Sequence, residues 1–371
     1  MSDLLVTTHT PVLRSGQTVR TYGIARALAA ASGGLTLLYA RFEGDAPDEA
    51  FSSIPGIELR EVLASRGPRR LIAYAAALAR GVPDGFARGI SPELVTEAAR
   101  LAGSPGRGRI VADGPIAMAA LARLARRRPV VYNAHNLESE FRHELAEEAG
   151  SRTLRRFERG LLARAQESWM VSERDMSAAA ELCPQARLRY VPNVVDVAAI
   201  EPVSGSPAEQ RAIFVANFAY EPNRNGARFL LEAVFPRVWE ELPEARLALV
   251  GGGLEGKPSE DPRVEAAGFV SDLRAAYASA RCAVVPLLQG GGTPLKFVEA
   301  LAYGVPVLAT PRAAAGLAVS DGVDCLLAGE AADFAAKLVT VLRDGAPELG
   351  ARGRALAEER YSIEALTRLL A

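Results

Sequence analysis

Lysine is nearly missing from this 371-residue chain: three of its 43 Lys and Arg residues are Lys, at positions 257, 296 and 337. Arginine carries almost all of the positive charge, so a lysine kept inside a glycine-rich loop, as Lys296 is, raises a functional question. Cysteine is as scarce. Cys183, Cys282 and Cys325 are odd in number and widely spaced, which excludes a disulfide framework or paired zinc ligands and suits apolar packing in a reducing compartment. No run of about 18 apolar residues is free of charge or turn signals, so no membrane-spanning helix is expected. Residues 1–8 have no basic region and turn polar after Leu4-Leu5-Val6, which argues against a signal peptide. A large charge of one sign is missing too. The net charge is −1; residues 1–200 hold 26 Arg and 22 acidic residues, and the remainder holds 17 basic and 22 acidic ones. That balance tolerates an anionic ligand but gives little support to nucleic-acid binding. The expectation is a cytoplasmic protein that reaches a membrane, if at all, only peripherally at its inner face.

The residues present are those of a globular chain, 49% hydrophobic and 23% charged. At roughly 100–200 residues per domain, two domains are expected. Short apolar runs (Leu4–Val6, Leu35–Tyr39, Arg109–Ala112, Pro129–Tyr132, Glu167–Val171, Leu188–Val191) alternate with helical patterns such as Thr18–Ala31, Ile116–Arg127 and Arg152–Ala165. The rhythm breaks over Pro192–Pro207. It resumes with Ala212–Val215, a helix over Gly226–Glu241, and then Arg246–Val250, Cys282–Val285 and Val305–Leu308. Helical patterns at Phe334–Arg343 and Glu364–Leu370 close the chain. Strands separated by helices of this length make parallel βαβ units. The reading is α/β, with two doubly wound Rossmann-like domains facing across a cleft. Their bounds are 1–191, a linker 192–210, and 211–358, with a C-terminal helix in 359–371 able to pack back on the first domain. Ligands of such sheets sit beyond the carboxyl ends of the strands.

The run Leu287-Leu288-Gln289-Gly290-Gly291-Gly292-Thr293-Pro294-Leu295-Lys296-Phe297-Val298-Glu299 carries the most chemistry. An apolar strand ends in three glycines and a helix starts at Pro294, a residue suited to the first helical position. The first-turn amides of Leu295 and Lys296 have no acceptor inside a helix, and the positive end of its dipole favours phosphate there. Gly291 and Gly292 let a ligand approach the backbone, Thr293 adjoins them, and Lys296 adds a formal charge. Glu299 lies one turn past Leu295 and could accept hydrogen bonds from ribose hydroxyls; a solvated Glu299 on an ordinary strand–helix turn is the alternative. His135 follows Val130-Val131-Tyr132 directly, where a strand-end site residue belongs. His9, after the first strand, could face the same site, with His143 read as surface. Gly16 opens the first helix as a hinge glycine or a simple turn, and Arg20 one turn on could touch an acceptor. Gly251–Gly256 fits Gly-x-Gly-x-x-Gly, but Lys257–Pro262 after it is turn-rich and opens no helix, so a nicotinamide site is not expected. Arg66–Arg80 has an amphipathic pattern; a core-facing helix is favoured over contact with a bilayer.

Taken together, Gly291–Thr310, the segment Ala134-His135-Asn136-Leu137-Glu138, the turn Pro192-Asn193-Val194-Val195-Asp196 and the loop at Ser15–Arg20 resemble glycosyltransferase family 4. Within that family the sequence is closest to the branch with a Gly-Gly-Thr-x-Leu-Lys-x-x-Glu donor loop. The resemblance implies a GT-B fold and a retaining transfer of a sugar from a nucleotide-diphosphate donor, UDP- or GDP-linked, to an acceptor hydroxyl. No metal or other cofactor is implied, and the setting is polysaccharide or glycoconjugate synthesis on a glycan, lipid-linked or small-molecule acceptor. His135 is then expected at the donor sugar as the catalytic residue, with Asn136 and Glu138 beside it holding it or touching the acceptor. Gly16, Gly291, Gly292, Thr293, Leu295, Lys296 and Glu299 fall on the donor side. The family's basic positions read Asn217 and Asn225 here, with Arg224 adjacent as a substitute cation. The family's earlier glutamate falls at Gly291, and its loop arginine is Pro294. Those departures leave open a catalytically weak or inactive sugar-nucleotide-binding protein, or an epimerase on the same architecture.

Overall fold

The computed structural model describes residues 2–41, 44, 46–64, 67–140, 151–203, 207, 209–254, 256, 258–289 and 293–371. Gly290, Gly291 and Gly292, His143, and part of the expected linker (204–206 and 208) lie outside the described residues. The chain divides into two compact units, residues 1–193 with 366–371, and residues 194–365.

The first unit is built on a seven-stranded sheet of order β3-β2-β1-β4-β5-β6-β7. The strands are β1 (Ser2–Thr7), β2 (Leu35–Arg41), β3 (Ile57–Leu63), β4 (Arg107–Asp113), β5 (Val131–Asn133), β6 (Glu167–Met170) and β7 (Leu188–Tyr190). Every pairing is parallel. Leu4, Leu5 and Val6 are wholly buried, as a central strand covered by helices on both faces requires. The order reverses between β1 and β4, so the loops after those two strands splay apart and leave a crevice at their carboxyl ends.

The second unit repeats the plan with six strands of order β10-β9-β8-β11-β12-β13. These are β8 (Arg211–Val215), β9 (Arg246–Val250), β10 (Val264–Gly268), β11 (Cys282–Val285), β12 (Val307–Ala309) and β13 (Leu326–Leu327). Its reversal lies between β8 and β11. Phe214, Phe218, Phe235, Phe297 and Phe334 fill the core around them and are fully buried. All three cysteines are buried and free, and burial pushes the Cys282 thiol up to about 12.

The structure corrects the sequence reading at several elements. The edge strands β3 and β10 were not expected, because they show solvent on most positions and read Ile-Glu-Leu-Arg-Glu-Val-Leu and Val-Glu-Ala-Ala-Gly rather than as apolar runs. The single helix expected over 226–241 is instead Glu221–Phe229, a π-turn over Leu230–Val234, and Phe235–Glu241. Pro236 explains the break, since it has no N–H for the ladder and its ring crowds the preceding turn. The amphipathic stretch folds as a helix, Pro68–Ala79, that turns a narrow face to the core, with Ala77 buried in it and Tyr74 packed against it, while Leu71 and Ile72 on the other side are 67% and 68% exposed.

Candidate functional site

In the first unit, β4 delivers Asp113 to the carboxyl end of the sheet and β5 delivers Asn133, with His135 two residues further on. The Asp113 carboxylate is buried and accepts from the Thr21 hydroxyl at 2.6 Å, the Asn133 side-chain amide at 2.7 Å and His135 Nε2 at 2.9 Å. Burial alone would raise its pKa. The His135 imidazole and its hydrogen bond, then His9 and the Thr21 hydroxyl, overcome that and hold the carboxyl well below the usual range. His135 is itself 7% exposed. With Nε2–H directed at a carboxylate, a neutral imidazole presents Nδ1 as its acceptor.

Gly114 makes this packing sterically possible. It has φ +85°, and a Cβ there would meet His135 Cε1 at 3.0 Å and Nδ1 at 3.2 Å. His9 lies edge-on to His135 with ring centroids 6.4 Å apart and sits within hydrogen-bond reach of the buried Thr7 hydroxyl. Desolvation lowers the His9 pKa, opposed by Asp113 and reinforced by His135.

Arg20, expected on the acceptor side, points inward instead. It is 2% exposed and donates to Asn133 Oδ1 at 2.7 and 3.1 Å, to the Val191 carbonyl at 2.9 Å and to Asn193 Oδ1 at 3.1 Å. A continuous buried polar chain thus runs His135–Asp113–Asn133–Arg20–Asn193, and desolvation lowers the Arg20 pKa to about 10. Gly16 is the exposed first residue of the helix Gly16–Ser32, closed by a Ser15–Thr18 capping box. The half-buried segment holding Asn136 and Glu138 is clasped from below: the Glu158 carboxylate accepts from the Glu138 N–H at 2.6 Å and the Ser139 N–H at 3.0 Å. Burial pushes Glu158 up to about 7, against the bonds from Ser139 and Glu138 that pull it down.

In the second unit the helix Leu295–Tyr303 follows β11. Its first helical residue is Leu295, with Pro294 as the extended N-cap at ψ 111°, one residue later than the sequence suggested. Thr293 is buried beside it. Lys296 Nζ donates to Asn223 Oδ1 at 2.6 Å and lies 5.6 Å from the centroid of the Phe214 ring. Desolvation lowers its pKa to about 8, with Glu299 opposing. Glu299, one turn on, receives a long 3.4 Å bond from the Tyr277 hydroxyl; burial pushes its carboxyl up to about 7, against Tyr277 and Lys296.

Asn223 also donates to the Asn217 carbonyl at 2.6 Å, so it joins the loop after β8 to Lys296. The Asn217 side chain caps the Ala219 N–H at 3.0 Å. Arg224, the expected substitute cation, is exposed and bonds the Phe218 and Ala219 carbonyls at 3.2 and 2.7 Å. The glycine run 251–253 packs on this same loop. A Cβ on Gly251 would lie 1.9 Å from the Ala216 carbonyl oxygen and one on Gly253 2.2 Å from the Ala219 nitrogen. Those glycines serve backbone contact rather than a dinucleotide turn.

Asp113, Asn133 and Asn223 were not among the expected site residues. For Asp113 a signal existed, an acid at the end of an apolar run ahead of Gly-Pro; for the two asparagines no local pattern exists. Among the described residues no group of three or more His, Cys, Asp or Glu side chains is placed to hold a metal ion.

These placements put the polar residues of each unit at the reversal of its strand order, and comparison with known proteins agrees with the architecture. A family model for Glycosyltransferase Family 4 matches residues 14–199, half of the chain, and one for Glycosyl transferases group 1 matches residues 209–344. No curated protein matches the sequence. Among solved structures, the chain resembles HepE of Anabaena in complex with UDP and glucose, at 17% identity over 100% of this chain and 98% of that one, TM-score 0.71. It also resembles sucrose-phosphate synthase from Thermosynechococcus elongatus, at 18% identity over 100% and 97%, TM-score 0.73, and TarM of S. aureus, at 10% over 100% and 99%, TM-score 0.71. With two parallel Rossmann-like sheets and both halves of the sequence matched in order, the chain belongs to Glycosyltransferase Family 4 and is a glycosyltransferase of GT-B fold.

Proposed function

We propose that this glycosyltransferase moves a sugar from a nucleotide-diphosphate donor to an acceptor hydroxyl with retention of anomeric configuration and without a metal. The observation that carries the reading is Lys296, a half-buried cation one residue into a helix that follows the strand-order reversal, held by Asn223 and its pKa drawn down by desolvation. A lysine so placed gains from an arriving diphosphate, which supplies the counter-charge that burial removed. The first-turn amides of Leu295 and Lys296 add dipole and hydrogen-bond donors. As the sugar–phosphate bond breaks, negative charge grows on the leaving diphosphate and these groups stabilise it in place. Glu299 takes the ribose hydroxyls. Gly291 and Gly292 admit the phosphates, with Thr293 beside them, while Gly16 and the Asn217 loop complete the donor side.

His135, oriented by Asp113, is assigned to the sugar and helps fix its anomeric carbon. Asn136 and Glu138 take the acceptor side, and the departing phosphate accepts the acceptor's proton. A UDP-linked donor is supported by the UDP complex of HepE; a GDP-linked donor is the competing choice. The acceptor is a glycan, a lipid-linked sugar or a small molecule.

The test is direct. Thermal shift against UDP- and GDP-sugars selects the donor, and release of nucleoside diphosphate is then followed with and without acceptor. Lys296→Ala is expected to weaken donor binding about 10–100-fold, the loss of one charge-assisted contact. Unchanged donor affinity in that variant ends the site assignment, and an inverted product anomer by NMR ends the retaining mechanism.

A further inference from the structure

On the helical flank of the first unit, a groove of about 1830 Å³ is bordered by the helices Pro68–Ala79, Pro92–Ala102 and Ser151–Leu162. Eight arginines line it, and among its described lining residues there is no Asp or Glu. Arg152, Arg156 and Arg159 are exposed along one face of a single helix, a spacing at which like charges repel. Arg80 and Arg123 are close enough that the charge of Arg123, after desolvation, lowers the pKa of Arg80. Among the described residues lining the groove no acid opposes these guanidinium groups, and their concentration calls for an external anion.

The size and the apolar content decide which anion. Pockets for small ligands hold about 300–1,000 Å³, well under this groove. The described lining residues include no Tyr or Trp, and Phe157 is buried, so they offer no base-stacking platform. Leu71 and Ile72, on the helix that borders the groove, are 67% and 68% exposed, which is costly against water and favourable in a lipid interface. No helix of the described residues is long and apolar enough to cross a membrane, so any lipid contact made by them is at the surface.

We propose that this face docks on a bilayer surface rich in anionic lipid. The arginines engage headgroup phosphates, for which the guanidinium fork is well shaped, and Leu71 and Ile72 enter the acyl boundary. The proposal is independent of the transfer reaction and of the donor site.

Co-sedimentation of the full chain with vesicles tests it. Equimolar phosphatidylcholine and phosphatidylglycerol vesicles are expected to take up the protein, pure phosphatidylcholine vesicles much less, and added salt should release it. The double variant Arg156→Gln/Arg159→Gln should partition about thirtyfold more weakly, the fold-change for two charges of about 1 kcal/mol each at an anionic surface. Leu71→Ser/Ile72→Ser should also partition at least about threefold more weakly with charge unchanged, because less apolar area is buried. The exposed pair Arg228→Gln/Arg237→Gln on the second unit should bind as the unchanged protein does. Equal uptake by both vesicle types, or equal losses in the two arginine pairs, overturns the proposal. A loss in the groove arginines without one at Leu71 and Ile72, together with tight binding of soluble heparin, assigns the face to a polyanion instead.

Discussion

At the scale of single residues, the protein holds an ionised carboxylate in a buried position by giving it three donors. Asp113 is reached by Thr21, Asn133 and His135 from separate elements, so removing its charge acts on the histidine more than on the fold. Asp113→Asn is expected to lower kcat/KM about 10–100-fold through loss of imidazole orientation, while donor affinity measured by calorimetry stays within about twofold. A parallel fall in donor affinity would show that Asp113 does not act through His135. Gly114→Ala tests the same packing by sterics. Its φ of +85° and the 3.0 Å approach to His135 should cost about 1–2 kcal/mol of stability and reduce turnover together. His135 was legible in the sequence because an unbroken apolar run marks where a strand ends. Asp113 carried the same strand-end signal but no sign of its use, because an acid after such a run is equally at home in solvent and its partners lie as much as 92 positions away.

At the scale of elements, two loops are held by close contacts, one of which also sets a pH dependence. Glu158 clasps the segment after His135 through the Glu138 and Ser139 N–H groups; Glu158→Ala leaves both unpaired and should cost about 1–3 kcal/mol for each, visible as faster amide exchange at those positions. Burial raises Glu158 from 4.5 to about 7. The folded state therefore holds this proton more tightly than the unfolded state, and the stability it contributes is present below about pH 4.5 and lost as pH climbs through about 7. Glu158→Gln, which cannot ionise, should flatten the fall in Tm across that window; an unchanged slope would place the dependence elsewhere. In the second unit Gly251→Ala drives a Cβ to 1.9 Å from the Ala216 carbonyl oxygen. A loss of about 2–4 kcal/mol is expected, with weaker donor binding because the Asn217 loop must move. The glycine run was readable as unfit for a dinucleotide, since no helix follows it, but its use as a backbone contact appears only once β8 and β9 lie side by side.

At the scale of the molecule, the first unit is closed by residues from the far end of the chain. Leu366 and Leu370 are 1% and 0% exposed, residues 366–371 belong to the first unit, and Arg109 and Arg189 donate to the carbonyls of Leu370 and Leu369. Truncation after Ala365 should remove about 3–6 kcal/mol, two leucines at about 1.5–3 kcal/mol each, and shift the urea midpoint accordingly. A midpoint that does not move would show these contacts to be marginal.

By itself the sequence determined the parallel α/β architecture and, to within one residue, the start of the helix that follows Pro294. Buried central strands must be continuously apolar, and a glycine run leading through Pro294 into a helix is local chemistry that needs no distant partner. Only the tertiary structure decided the contacts around the candidate residues: Asp113 under His135, Asn223 under Lys296, and Arg20 turned inward between Asn133 and Asn193. It also decided that the helix Pro68–Ala79 turns Tyr74 and Ala77 to the core and leaves Leu71 and Ile72 in solvent. The physical reason is the same throughout. Apolar periodicity records how much of a segment is buried, while hydrogen bonds between polar side chains depend on which strand ends the crossovers bring together, and no local pattern encodes that.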